Sequence, residues 1–155
     1  MNENPYTPPA ADIRDDLYAN AVKLYSPAQA ACGAFLGGPV ALIYFLRKNF
    51  SALGNDSAAS KTVGYGVLFI LGLLALIPIL PDRFPSIVFT IAYIFIAKSI
   101  SENYQKKKQE IAESPEYDFH SNWRVLGFGL LCAVGSGIAI IVPLLILVEL
   151  GIWNP

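Results

Sequence analysis

The chain has 155 residues, 11 basic and 12 acidic, for a net charge of −1. Hydrophobic residues make up 54% and charged residues only 15%, against ~25% charged in soluble domains. This composition excludes a water-soluble enzyme with a large polar active site. The near-neutral charge removes any electrostatic case for nucleic acid as a partner. Four long apolar runs with almost no charge carry the signature of membrane-spanning helices, and the length suits one domain.

Residues 1–25 read as a polar, largely disordered leader. Pro5, Pro8 and Pro9 lack backbone donors and push the residues before them into extended conformations. Residues 12–23 offer an alternative, a short amphipathic segment lying on a membrane surface. The leader lacks the basic region followed by a short apolar core that a cleavable signal peptide needs.

The second unit, residues 26–150, reads as a compact all-α bundle of four transmembrane helices, with spans at about 27–46, 62–80, 85–100 and 125–148. Ser26, Pro27 and Gln29 form a start signal: Ser26 caps, Pro27 fits the first helical position, and Gln29 completes a capping box. About 20 residues at ~1.5 Å each give ~30 Å, one hydrocarbon thickness. Pro39 in the first span and Pro143 in the fourth each free a carbonyl one turn back, so both helices are expected to kink. Asn55 caps the second span. The turn Pro81-Asp82-Arg83-Phe84-Pro85 makes spans two and three an antiparallel hairpin. The third span is the least apolar and needs Lys98 to snorkel; its helix is expected to run on into the charged loop, residues 101–121, through Lys106 and Glu110. Trp123 and Trp153 flank the fourth span as interfacial anchors, joined by Lys106, Lys107 and Lys108 beside the headgroups.

With four spans, both termini lie on one side. Eight of the 11 basic residues fall on the other side, leaving Arg14, Lys23 and Arg83 with the termini. The positive-inside rule then puts both termini in the periplasm.

Small residues mark the helix contacts. Gly33, Gly37 and Ala41 form one small-xxx-small row and Gly38 belongs to a second. Gly127, Gly129, Gly135 and Gly137 on the fourth span are the natural partners, with a homo-oligomer interface as the other use of the rows. Cys32 and Cys132 read as small buried hydrophobes in opposite leaflets, beyond disulfide reach. His120 reads as a solvated loop residue. No catalytic, cofactor-binding or metal-binding residue is assigned and no cofactor is expected, because no nucleophile–base pair, phosphate loop or ligand set is present. Between the interfaces Thr90 and Ser136 are the polar side chains that stand out, and no carboxylate sits in the first span to couple protons.

The leader Asn4-Pro5-Tyr6-Thr7-Pro8-Pro9, the stretches Leu24-Tyr25-Ser26-Pro27 and Phe35-Leu36-Gly37-Gly38-Pro39, the residues Asn49 and Leu53-Gly54, and the later Asn122-Trp123-Arg124 resemble those of uncharacterised small bacterial inner-membrane proteins. The resemblance covers about the first third of the chain and the approach to the last span, and it implies a bacterial inner-membrane location. Function then reads as non-enzymatic and binding: a scaffold, an accessory subunit or an immunity-type partner. The bilayer, another membrane protein or a second copy are the expected partners. The alternative is a small-solute channel or transporter lined by the Gly/Pro-broken helices one and four.

Overall fold

The computed structural model describes residues 21–81 and 83–152. The expected leader and Trp153 fall outside these residues, apart from residues 21–25. The described chain is helical, with one small strand pair. The order is β1 (Val22–Leu24), α1 (Pro27–Ala52), α2 (Asp56–Leu76, continued by a 3₁₀ turn at Ile77–Ile79), α3 (Ile87–Tyr104), α4 (Lys108–Glu113), β2 (Tyr117–Phe119) and α5 (Asn122–Glu149). Three helices, Pro27–Ala52, Asp56–Ile79 and Asn122–Glu149, are long and apolar enough to cross a membrane by length and composition.

The first of these does not run straight. Gly38 takes φ 64, ψ −150, a region that only glycine occupies at low cost. Pro39 then starts a new helical segment, where a fixed φ and a missing donor are favourable. The direction of the second segment follows from the contacts of its far end. Tyr25 and Asn49 are 24 residues apart, yet their groups hydrogen-bond at 2.8 and 2.7 Å. A straight helix would separate them by about 36 Å. The Tyr25 and Phe45 rings meet at 4.7 Å, and Ala30 and Ala41 share one buried cluster with them. Residues 27–37 and 39–52 therefore lie side by side and antiparallel, as a helical hairpin with its tip at Gly38 and its base at Ser26 and Asn49.

This corrects the expected single crossing over residues 27–46. The two arms are about 16 and 21 Å long, short of the ~30 Å hydrocarbon thickness. The Gly-Pro pair does more than kink the helix: it ends one segment and begins the next. α5, by contrast, carries Pro143 inside one continuous helix, Asn122–Glu149.

The other helices surround the hairpin. α2 runs from base to tip: Thr62 faces Leu46 across one cleft, and Ile43 fills the space over Gly66. α3 returns from tip to base, with Thr90 and Tyr93 near Gly38 and Gln105 bonded to Leu46. Phe69 on α2 meets Tyr93 on α3 at 6.0 Å. α5 starts at the base, where Asn122 bonds Gln29, and passes the tip at Ser136. It continues a further ~20 Å to Glu149. The most apolar window of α1 is 56% buried, against 11% for α2 and α5, so the hairpin is the sheltered element and the long helices are its casing.

Two further expectations change. Residues 21–25 belong to the fold and not to the leader. β1 pairs with β2 in parallel, Leu24 opposite Phe119, and Leu24 and Tyr25 are buried. Each strand feeds directly into a helix, so α1 and α5 set off side by side in the same direction. Spans one and four were expected to be antiparallel, which would put Cys32 and Cys132 in opposite leaflets. Instead Cys132 faces Gly37, about a turn and a half from Cys32, and Cys32 is exposed while Cys132 is buried. The third helix also stops sooner than expected. Gln105 leaves helical geometry (φ −118, ψ −126), because its side chain is held by the hairpin base, and α4 is a separate short helix.

Candidate functional site

Two places hold the hairpin: a tip deep in the bundle and a clasp at the base. At the tip, ending one segment and starting another orphans backbone groups of both. Pro39 removes one donor outright. Ser136, 6% exposed on α5, serves two of the remaining groups with one hydroxyl. It donates to the Gly37 carbonyl and accepts from the Val40 N–H at 3.1 Å. A side chain on α5 thereby closes the backbone of α1 across the turn.

Glycines let α5 come that close. A Cβ on Gly37 would overlap the Gly129 carbonyl and the Ala41 Cβ, and one on Gly33 would overlap the Phe45 ring of the opposite arm. The row Gly33, Gly37, Ala41 is thus used inside this chain, within the hairpin and against α5. Gly38 lies beside Ser136, and Gly135 lies opposite Val40. Gly127 has open space at its Cβ position and makes no such contact. Gly129, another of the expected partners, supports the close approach instead.

Around the tip is a cleft of about 370 Å³, lined chiefly by Phe35, Gly38, Thr90, Tyr93, Ser136 and Ile140. A second cleft, about 230 Å³, continues from it between α2 and α3 and shares Thr90, Tyr93 and Ile140. Both are mainly apolar. Their polar atoms are hydroxyls and glycine backbone, suited to apolar groups with an occasional hydrogen bond.

At the base, Asn49 is 3% exposed and spends its whole amide on the hairpin. Its oxygen accepts from the Tyr25 N–H at 2.8 Å, and its nitrogen donates to the Tyr25 carbonyl at 2.7 Å and to Gln105 at 2.9 Å. Gln105 in turn donates to the Leu46 carbonyl at 2.9 Å. Ser26 and Gln29 form the expected capping box. Gln29 also donates to the His120 carbonyl at 2.7 Å and to Asn122 at 2.8 Å, which ties the start of α1 to that of α5. The Tyr25 ring lies between Phe45 and His120, and its hydroxyl accepts from Arg124 at 3.2 Å.

His120 is therefore no solvated loop residue. Its ring centroid is 4.2 Å from that of Tyr25, and burial, then Arg124 and Lys23, push its pKa below 6.5. Trp123 is 80% exposed at the same end. Lys106 pairs with Glu110 at 3.8 Å and lies over the Tyr117 ring. Lys107 precedes α4 and Lys108 opens it, beside a cleft that includes Gln29, His120 and Asn122. Asn49, Gln105 and Tyr25 were not legible as partners from the sequence. The one available signal was two amide residues at the edges of apolar runs.

In comparisons with known proteins, no family model matches the chain, no curated protein matches it, and no solved structure matches it.

Replacing Ser136 by Ala leaves the buried Gly37 carbonyl and Val40 N–H without a partner, at roughly 1–3 kcal/mol for each unmet group. Thermal unfolding of the purified chain in detergent is expected to show a clearly lower midpoint for Ser136→Ala, whereas Ser99→Ala, at a half-buried site away from the hairpin, stays near the parent value.

Proposed function

We propose that this chain is a polytopic protein of a bacterial inner membrane, without enzymatic activity, that acts by binding as a scaffold, an accessory subunit or an immunity-type partner. Three helices cross the bilayer in this reading, α2, α3 and α5, and α1 enters from the base and returns. Non-helical backbone at membrane depth is tolerated where protein covers it or it lines a cavity, and Gly38 is half-buried beside Ser136 at the edge of the tip cleft. The observation that carries the binding reading is the use of Ser136. Its hydroxyl takes up both the acceptor and the donor left open at the turn, so the turn is a closed joint and not a coordination site for a passing solute.

Orientation follows from charge. Of the ten basic residues among those described, nine lie at or toward the base, and Arg83 alone lies at the far end. The positive-inside rule puts the base in the cytoplasm. With three crossings the leader is then cytoplasmic and the C-terminal end periplasmic, in place of two periplasmic termini. The binding surface is the base, where residues 105–121 and β1 meet. A fluorescent protein that matures only in the cytoplasm is expected to light up when fused at the N-terminus and to stay dark at the C-terminus. Fluorescence from both fusions or from neither contradicts this orientation.

One observation favours the second reading, a small-solute channel or transporter. The tip cleft lies between the two helices that glycine and proline interrupt, and it carries the hydroxyls of Thr90, Tyr93 and Ser136. Photo-crosslinking in cells and flux in liposomes separate the two readings. The binding reading predicts discrete crosslinked products from base positions such as Lys107 and Glu113, none from Phe84 at the far end, and no flux. Solute flux that Tyr93→Phe or Thr90→Val reduces would replace binding by transport.

A further inference from the structure

A third cleft, of about 270 Å³, lies on the base half of the bundle, between the second arm of the hairpin, α2 and α3. Its walls are apolar: Ile43 and Leu46 on the hairpin, Phe69 on α2, Ile96 and Ile100 on α3. At its floor Gly66 lets Ile43 pack directly against α2, where a side chain would collide. It opens outward, with Tyr65 on its rim 71% exposed. Such a slot, at the depth of the hydrocarbon, fits one acyl chain and not a whole lipid.

The residues above the slot decide which lipid. On a helix, the residue four positions on lies over the same face. One turn toward the base from Ile43 is Arg47, and one turn toward the base from Tyr65 is Lys61. The third wall ends in Tyr104, four residues after Ile100 and 75% exposed. Arg47 and Lys61 are exposed, and neither forms an ion pair among the described residues. Lys48 follows Arg47 and is likewise free of ion pairs among those residues. On the three elements that wall the slot, the acids at this end are Glu102, already paired with Lys98, and Asp56 in the first turn of α2. Two cations from different helices thus stand over an apolar slot, with a tyrosine beside them.

We infer that this crevice holds an anionic phospholipid, with one acyl chain between α2 and α3 and its phosphate between Arg47 and Lys61. A guanidinium and an ammonium suit a phosphate, and the low dielectric at the slot's edge strengthens the pairing. The inference rests on the membrane placement proposed above but not on the binding role. It adds a ligand that wedges the hairpin's second arm against two crossing helices.

The test uses the full chain purified in non-ionic detergent, with melting followed while phosphatidylglycerol or phosphatidylcholine is added, and native mass spectrometry to count retained lipid. Phosphatidylglycerol is expected to raise the melting temperature by several degrees and to remain bound at one per chain, with phosphatidylcholine doing neither. The double variant Arg47→Gln/Lys61→Gln is expected to lose the headgroup preference, while Arg83→Gln, at the far end of the bundle, keeps it. Ile100→Trp, which fills the slot, is expected to lose retained lipid with the cations still in place. An unchanged preference in Arg47→Gln/Lys61→Gln overturns the proposal. So does equal stabilisation by phosphatidylcholine, or full stabilisation by glycerol phosphate without a chain. Failure of the membrane placement reads differently: the chain would then appear in the aqueous fraction after alkaline extraction of membranes.

Discussion

One hydroxyl holds the architecture together. A helix that reverses inside a bundle breaks its own hydrogen-bond ladder, and an unmet buried backbone group costs roughly 1–3 kcal/mol. Ser136 removes most of that cost by serving Gly37 and Val40 at once. It reaches them only because Gly37 and Gly129 let α5 lie almost against the hairpin backbone. Gly38 supplies the backbone angles, Pro39 restarts the helix, and Ser136 satisfies what is left over. Without the third of these, the first two would make a bend with unmet polar groups between packed helices.

The base solves the complementary problem of keeping two short arms together. Neither arm spans the hydrocarbon, so neither is anchored by length. Asn49 clamps the backbone of Tyr25, Gln105 extends the clamp to α3, and Gln29 joins the start of α1 to the start of α5. The parallel pairing of β1 and β2 sets those two starts side by side. Buried amides of this kind make several hydrogen bonds each and fix one arrangement among many similar apolar packings. The outer helices need no such networks, because their exposed leucines, isoleucines and valines can face lipid.

The apolar runs, the caps at Ser26 and Asn55, and the helical class were readable from residue types alone, since burial and capping are local. The hairpin was half readable. Gly37-Gly38-Pro39 contains a helix stop followed by a helix start, glycine at the end and proline at the beginning. Read against the length of the apolar run, it looks like a kink in one crossing, because 20 apolar residues satisfy the thickness criterion whether they run straight or double back. What decides between the two is the partner 24 residues away, and Asn49 looks in sequence like any polar residue that ends a span. Ser136 stood out as a polar residue between glycines, but its two acceptor and donor partners lie 96 and 99 residues earlier. The strand pair was hidden for the same reason: three residues at the end of a proline-rich leader carry no periodic signal until β2 is beside them. Charge was more robust. The bias of the basic residues survives the change in topology and sharpens, because Lys23 moves to the crowded side.

The fold of the hairpin back on itself is the claim on which the orientation, the path of α1 through the bilayer and the clefts along α1 depend. A distance between spin labels at Ala28 and Ser51, exposed positions on the two arms, measured by pulsed electron resonance in a background lacking Cys32 and Cys132, tests it directly. Both positions sit at the base of a hairpin, so the distance is predicted to fall below about 25 Å, from arms packed 8–10 Å apart plus the label arms. A distribution centred near about 35 Å, the length of an unbroken helix between those residues, would contradict it.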